Sequence, residues 1–179
     1  SEQSSSASWL SAAKFMDAIA RMPGNDGDEA DATGAYTQAF LDGPETWIEL
    51  PRHRWPKSWH NKYERPVVRL VKALYGHPLA GLYWEKFCQR AILKAGFEII
   101  PGWECLYIHR QQKLFLSCYV DDFKMAGDKN NLKKMWDVLG RKGALDLEPS
   151  VKLDGNVYLG FTQNNIPAPK ELIEEKKAM

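Results

Sequence analysis

Two adjacent acids, Asp121 and Asp122, interrupt an otherwise apolar run from Leu114 to Ala126. Leu114 to Val120 reads as one strand and Phe123 to Ala126 as the next, so the acids fall at a hairpin tip. Carboxylates between apolar strands are costly to ionise unaided, and a divalent cation is one way to hold like charges together. A third acid, Asp31, opens a second element in Asp31-Ala32-Thr33-Gly34-Ala35-Tyr36. Three carboxylates on two elements could hold two magnesium ions about 3.5–4 Å apart, an arrangement suited to phosphoryl or nucleotidyl transfer. Neighbouring strand residues point to opposite faces, so Asp121 and Asp122 serve one site only if the turn rotates one of them. Asp121 is therefore expected to act directly and Asp122 to support it. Taken alone, Asp-Asp is also an ordinary polar turn. The apolar strands that run up to it, together with Asp31, carry the chemical reading.

The elements around these acids follow from periodicity. Residues 9 to 21 place Leu10, Ala13, Met16 and Ala20 on one helical face, and Pro23-Gly24 ends the pattern. Gly24 to Glu29 reads as polar and turn-rich, and Ala35 to Leu41 as a short apolar-periodic stretch. Thr46 to Leu50 and Val67 to Val71 read as short strands. Leu79 to Ala95 has helical spacing and is expected to be the longest helix, with Gly96 as its C′ residue. Glu104 to Arg110 completes a meander with the two acid-bearing strands. Leu132 to Leu139 forms a further helix, Asn156 to Thr162 a last strand, and a charged helix starts at Lys170. Strands interleaved irregularly with helices predict an α+β sheet with helices packed on one face.

The 179 residues carry a formal net charge of +1, so attraction to a polyanion must come from locally segregated charge. Arg52, Arg54, Lys57, Lys62, Arg65, Arg69 and Lys72 lie in one stretch against the single acid Glu64, interleaved with Trp55, Trp59 and Tyr63. Asp26 to Glu49 contains acids and no Lys or Arg. The basic stretch suits phosphates and stacked bases, or else is a solvated loop anchored by its tryptophans. Cys88, Cys105 and Cys118 are far apart and include no C-x-x-C, which suggests neither a disulfide framework nor a structural zinc site. With no run as long as a membrane span and no secretion signal, the expectation is a soluble intracellular protein without membrane partners.

In order along the chain stand Asp31 with Ala35-Tyr36, Lys72-Ala73-Leu74-Tyr75-Gly76 with Trp84, Cys105-Leu106-Tyr107, Tyr119-Val120-Asp121-Asp122 with Ala126-Gly127, and Tyr158-Leu159-Gly160. This ordered set resembles the reverse transcriptases of copia-type LTR retrotransposons over roughly residues 28 to 163. Gly76 to Leu82 departs from the family, losing the Lys, Gln and Arg usual there.

The resemblance implies an RNA-directed DNA polymerase fragment with a palm-like antiparallel sheet, incomplete fingers and no thumb. Residues 1–27 would be an N-terminal helix and linker, 28–163 the fingers and palm, and 164–179 a charged tail. Asp31, Asp121 and Asp122 would hold two magnesium ions, with manganese as a substitute, while a primer 3′-OH attacks the α-phosphate of a dNTP. Ala35, Tyr36, Tyr75 and Gly76 would line the nucleotide site. Tyr36 would gate against the ribose 2′-OH, or it simply packs beside Ala39 and Phe40. Tyr119, Tyr158, Leu159 and Gly160, with Arg52, Arg54 and Lys57, would hold an RNA or DNA template and its primer; Tyr158 to Phe161 also reads as a plain core strand. The implied location is a cytoplasmic virus-like particle or the nucleus. The rival reading is a degenerate or co-opted relic that binds nucleic acid without synthesis.

Overall fold

The structure, a computed structural model, describes every residue except 1, 142, 143, 156, 159, 160, 163, 165, 168, 178 and 179; for residues 2–9, 157, 158, 161 and 172 it describes the backbone alone. Helix α1 (Glu2–Ala20) leads into strand β1 (Asn25–Asp31) and a one-turn helix α2 (Ala35–Gln38). Strands β2 (Trp47–Glu49) and β3 (Val67–Arg69) pair as a separate antiparallel ribbon. Helix α3 (Ala80–Lys94) precedes β4 (Glu98–Ile100), β5 (Trp103–His109), β6 (Leu114–Tyr119) and β7 (Asp122–Asp128). Helix α4 (Leu132–Leu139) then crosses to β8 (Val151–Lys152). The chain continues as β9 (Val157–Tyr158), β10 (Phe161–Thr162) and α5 (Lys170–Lys177).

One six-stranded antiparallel sheet organises the described residues, in the order β4-β5-β6-β7-β1-β8. With α2, the β2–β3 ribbon and the strands β4 and β5 as insertions, β1, α3, β6, β7, α4 and β8 run in β-α-β-β-α-β order. The fold is thus α+β, as expected. Strand alternation divides the apolar residues between two faces. Leu114, Leu116, Phe123 and Met125 pack against α3 and α4 through Trp84, Ile92, Met135 and Leu139. Their strand neighbours Phe115 and Ala126 instead join Leu106, Met16, Phe15 and Ile19. Helix α1 therefore covers the face opposite α3 and α4. This corrects the expectation that all helices share one face: periodicity marks a helix's apolar stripe but not which side of a sheet it meets. Gly27 permits the approach, since a Cβ there would lie 2.8 Å from the Ala20 methyl.

Three further expectations change. The longest helix is α1, with 19 residues against 15 in α3, because helical backbone runs back to Glu2. Gly24 to Glu29, read as a polar turn, supplies most of β1, paired with β7 on one side and β8 on the other. Asp28 and Glu29 there are only 7% and 8% exposed. A charged strand survives this burial because cations reach it. Lys152 lies 2.6 Å from Asp26 Oδ2 and 2.8 Å from Asp28 Oδ1. Lys124, the register partner of Glu29, bonds Asp17 Oδ1 of α1 at 3.0 Å. Finally, the single strand read over Asn156 to Thr162 is instead two short strands, β9 and β10, paired with each other.

Candidate active site

The register of β1 against β7 sets Asp31 directly across from Asp122 at the end of the sheet. The β6–β7 register closes a two-residue loop, Val120-Asp121, between Tyr119 and Asp122. Val120 sits at φ 51, a left-handed conformation that glycine usually supplies at the first position of such a loop and that Asp121 does not share. A β-branched residue there stores strain of roughly 1–3 kcal/mol. Two hydrogen bonds to its carbonyls hold the turn in place. Ala32 N–H donates to Asp121 O at 2.8 Å, tying the turn to the end of β1. The buried Trp84 of α3 donates its indole N–H to Val120 O at 2.6 Å from behind.

The end of β1 is clamped from its other side. Glu148 N–H donates to Asp31 O at 2.8 Å and Thr33 N–H to Asp146 O at 2.9 Å. The Gln38 amide bonds both Thr33 O and Asp146 O, and accepts from Asp146 N–H. Asp31 therefore projects from backbone fixed by two segments distant in sequence, the hairpin end and Asp146 to Glu148.

The acids interact as a cluster. Burial, then the charges of Asp31 and Asp121 and a hydrogen bond with Asp31, push the Asp122 carboxyl up to about 6. Asp122 is the acid that faces Asp31 most closely. The left-handed Val120 turns Asp121 into the loop and leaves Asp122 in register with Asp31. Among the described residues no three His, Cys, Asp or Glu side chains form a ready-made metal cage. Asp31 and Asp121 instead act as like charges on Asp122, which holds its proton more tightly than an ordinary aspartate.

An acid whose folded pKa is raised holds its proton more tightly folded than unfolded. The stability Asp122 gains from this is complete below the ordinary value of 3.8 and is lost as pH rises through about 6. Replacing Asp31 by asparagine removes the facing charge. We expect the variant to be more stable than the natural chain near pH 8 by about 1 kcal/mol, after allowing for the partial exposure of Asp122, and little changed near pH 5. Urea denaturation at the two pH values checks this. Trp84→Phe should cost roughly 1–2 kcal/mol, since the Val120 carbonyl loses its donor and the indole volume is left partly empty; chemical denaturation reads the change.

Beside the turn lies a cavity of about 340 Å³ whose wall includes Tyr36, Trp84, Cys88, Cys118, Tyr119 and Val120. Ala35 is fully buried, and the Tyr36 ring rests 4.5 Å from the exposed Tyr75 ring. Gly76 follows at φ 92 in the turn beyond Tyr75. His77 is structural: its Nε2 meets Thr46 Oγ1 at 3.2 Å and its Nδ1 accepts Leu79 N–H at 3.1 Å at the start of α3. Tyr119 is partly exposed at the hairpin tip. Tyr158 pairs through its backbone with Phe161, while Leu159 and Gly160 lie outside the described residues.

Arg52 and Arg54 stand on one 3-10 turn and Lys57 on the next, all exposed. Trp55 is an anchor, its indole donating to Leu50 O at 2.7 Å, with the Arg52 guanidinium 5.8 Å from its ring. The charge segregation read along the chain is partly undone in space. The β2–β3 ribbon brings Arg65 to Glu49 at 2.7 Å and Arg69 to Glu45 at 3.0 Å. Among the described residues, no acid pairs with Arg52, Arg54 or Lys57.

Sequence reasoning passed over the role of Trp84 as the turn's support and the Lys124–Asp17 pair. An isolated Trp within a helical stripe and a Lys within a strand were the only signals. No family model matches the chain, and neither does any curated protein. No helix among the described residues is long and apolar enough to cross a membrane.

Proposed function

We propose that the chain is the palm and partial fingers of an RNA-directed DNA polymerase, with its reaction centre at Asp31, Asp121 and Asp122. The observation that carries the reading is the meeting of these acids at one end of a β-α-β-β-α-β sheet. Their chemistry fits a hard divalent cation: all three offer oxygen, and the charges of Asp31 and Asp121 disfavour ionisation of Asp122, which a cation would offset. Asp31, Asp121 and Asp122 would hold magnesium, which supplies positive charge to offset that developing on the transferred phosphate.

The chain's own groups perform the remaining tasks. Asp122, raised to about 6 by burial and its acidic neighbours, is mostly ionised at neutral pH and offers its oxygens there. The fixed backbone of Val120 and Ala32 keeps the acids in position without reorganisation during the reaction, which is where electrostatic catalysis gains most. The Tyr36–Tyr75 pair offers an aromatic wall to the sugar and base of an incoming nucleotide. Arg52, Arg54 and Lys57 neutralise backbone phosphates of a primed template.

Template-directed incorporation of deoxynucleotides tests the reading. Its nucleic-acid half has a separate test. Primer-template affinity should fall steeply with salt, and reversing charge at Arg52, Arg54 and Lys57 should flatten the log–log slope by roughly 0.7–0.9 for each phosphate no longer neutralised. Salt-insensitive binding contradicts the proposed surface. The second reading, a relic that binds without synthesis, predicts the same salt dependence with no incorporation.

A further inference from the structure

The cavity behind the acid turn has two thiols in its wall. Cys88 of α3 and Cys118 of β6 stand with their sulfurs 3.4 Å apart, and both side chains line the 340 Å³ space. The polymerase reading gives this pair no task. One helical turn before Cys88, on the same face of α3, Trp84 bonds Val120 O, and Val120 follows Cys118 by two residues. The thiol pair and the Trp84–Val120 bond are thus adjacent rungs joining the same helix to the same hairpin. Cys105 is buried nearby on β5.

We infer that Cys88 and Cys118 are an oxidisable dithiol site whose closure to a disulfide shifts the Asp121–Asp122 turn. A small peroxide is the oxidant class that fits, because the cavity opens onto both sulfurs. In the first step one sulfur attacks a peroxide oxygen; the O–O bond breaks, the thiol proton goes to the departing oxygen as water forms, and the cysteine becomes a sulfenic acid. In the second, the other sulfur displaces the sulfenic oxygen, which leaves as water with the second thiol proton, and the S–S bond forms. Two electrons pass in total from the thiols to the peroxide. The Cys118 thiol is pushed up by its contact with Cys88 and by burial, so the reaction is slow.

Closure shortens the separation from 3.4 Å to about 2.05 Å, drawing the two sulfurs together by about 1.3 Å. Rotamer changes absorb part of this. The rest moves α3 against β6, and the rigid Trp84–Val120 bond passes it to the turn. The inference does not depend on polymerase activity, since both its readouts are structural.

The test treats the folded full chain with hydrogen peroxide, maps cysteine linkages by mass spectrometry, and follows hydrogen exchange at the Ala32 amide, the donor to Asp121 O. The expected result is a Cys88–Cys118 cross-link that reductant reverses, with Ala32 exchange altered at least several-fold in the oxidised form and restored on reduction. Cys105→Ser should behave like the natural chain, and Cys88→Ser should neither cross-link nor change its Ala32 exchange under peroxide. Separate over-oxidation of Cys88 and Cys118 in the natural chain, or a cross-link to Cys105 instead, overturns the site. A Cys88–Cys118 cross-link that leaves Ala32 exchange unchanged overturns the coupling to the turn. The natural chain alone decides both points, so a variant that fails to fold does not remove the test.

Discussion

Asp121→Asn is expected to lower deoxynucleotide incorporation by roughly 10³-fold, about 4 kcal/mol of transition-state stabilisation, while primer-template affinity stays close to that of the natural chain. The amide keeps the shape of the side chain and its place in the Val120-Asp121 loop, whose backbone is set by the bonds from Ala32 and Trp84. What it removes is one of three negative charges available to a cation. Asp122→Asn should behave differently in one respect. Because burial, and then the charges of Asp31 and Asp121, raise the Asp122 carboxyl to about 6, its amide also removes that titration and the stability change that accompanies it. Measuring single-turnover incorporation and unfolding free energy on the same two variants separates the roles. Activity should fall in both, and the pH-dependence of stability should flatten fully in Asp122→Asn but only in part in Asp121→Asn.

Lys124→Met is expected to destabilise the fold by about 3 kcal/mol, enough to lower the melting temperature by several degrees. Lys124 is 1% exposed in the middle of β7, under α1, and bonds Asp17 Oδ1 at 3.0 Å with Glu29 opposite it in the register. Desolvation holds the ammonium below the usual lysine range, while the hydrogen bond and charge of Asp17 draw it back up. Removing the cation leaves Glu29 buried beside methionine, and one partner of a buried pair left alone costs more than the pair contributes. Asp17 is partly exposed and can turn to water, which keeps the loss at the low end of the range for broken buried pairs. The double variant Lys124→Met with Glu29→Gln should recover part of the loss. Thermal and urea unfolding of the three chains reads both effects.

Much of the sheet was legible in the sequence because its strands are apolar on both faces or clearly alternating. Leu114 to Ala126 announces a hairpin, and Gly96 at φ 96 ends α3 where a C′ glycine was expected. Strand β1 was not legible. Its sequence Asn-Asp-Gly-Asp-Glu-Ala-Asp has the composition of a turn, and the lysines that allow its burial lie roughly a hundred residues away on β7 and β8. Sequence periodicity likewise could not assign α1 to the face opposite α3 and α4, since the same stripe of Met16, Ile19 and Ala20 would suit either side. The acids themselves were identifiable by type and spacing. Which of them faces Asp31 was not, because that depends on the left-handed Val120, a conformation that a valine gives no reason to expect. The clamp from Asp146 and Glu148 onto β1 was equally hidden, being made through backbone groups that any sequence supplies.

The most direct measurement is extension of a DNA primer on an RNA template by the natural chain, with deoxynucleotides and magnesium, before and after the metal is chelated. The account predicts template-directed extension that stops on chelation, resumes when magnesium is restored, and is lost in Asp121→Asn. A natural chain that binds the primed template with the expected salt dependence yet adds no nucleotide, with magnesium or with manganese, contradicts it.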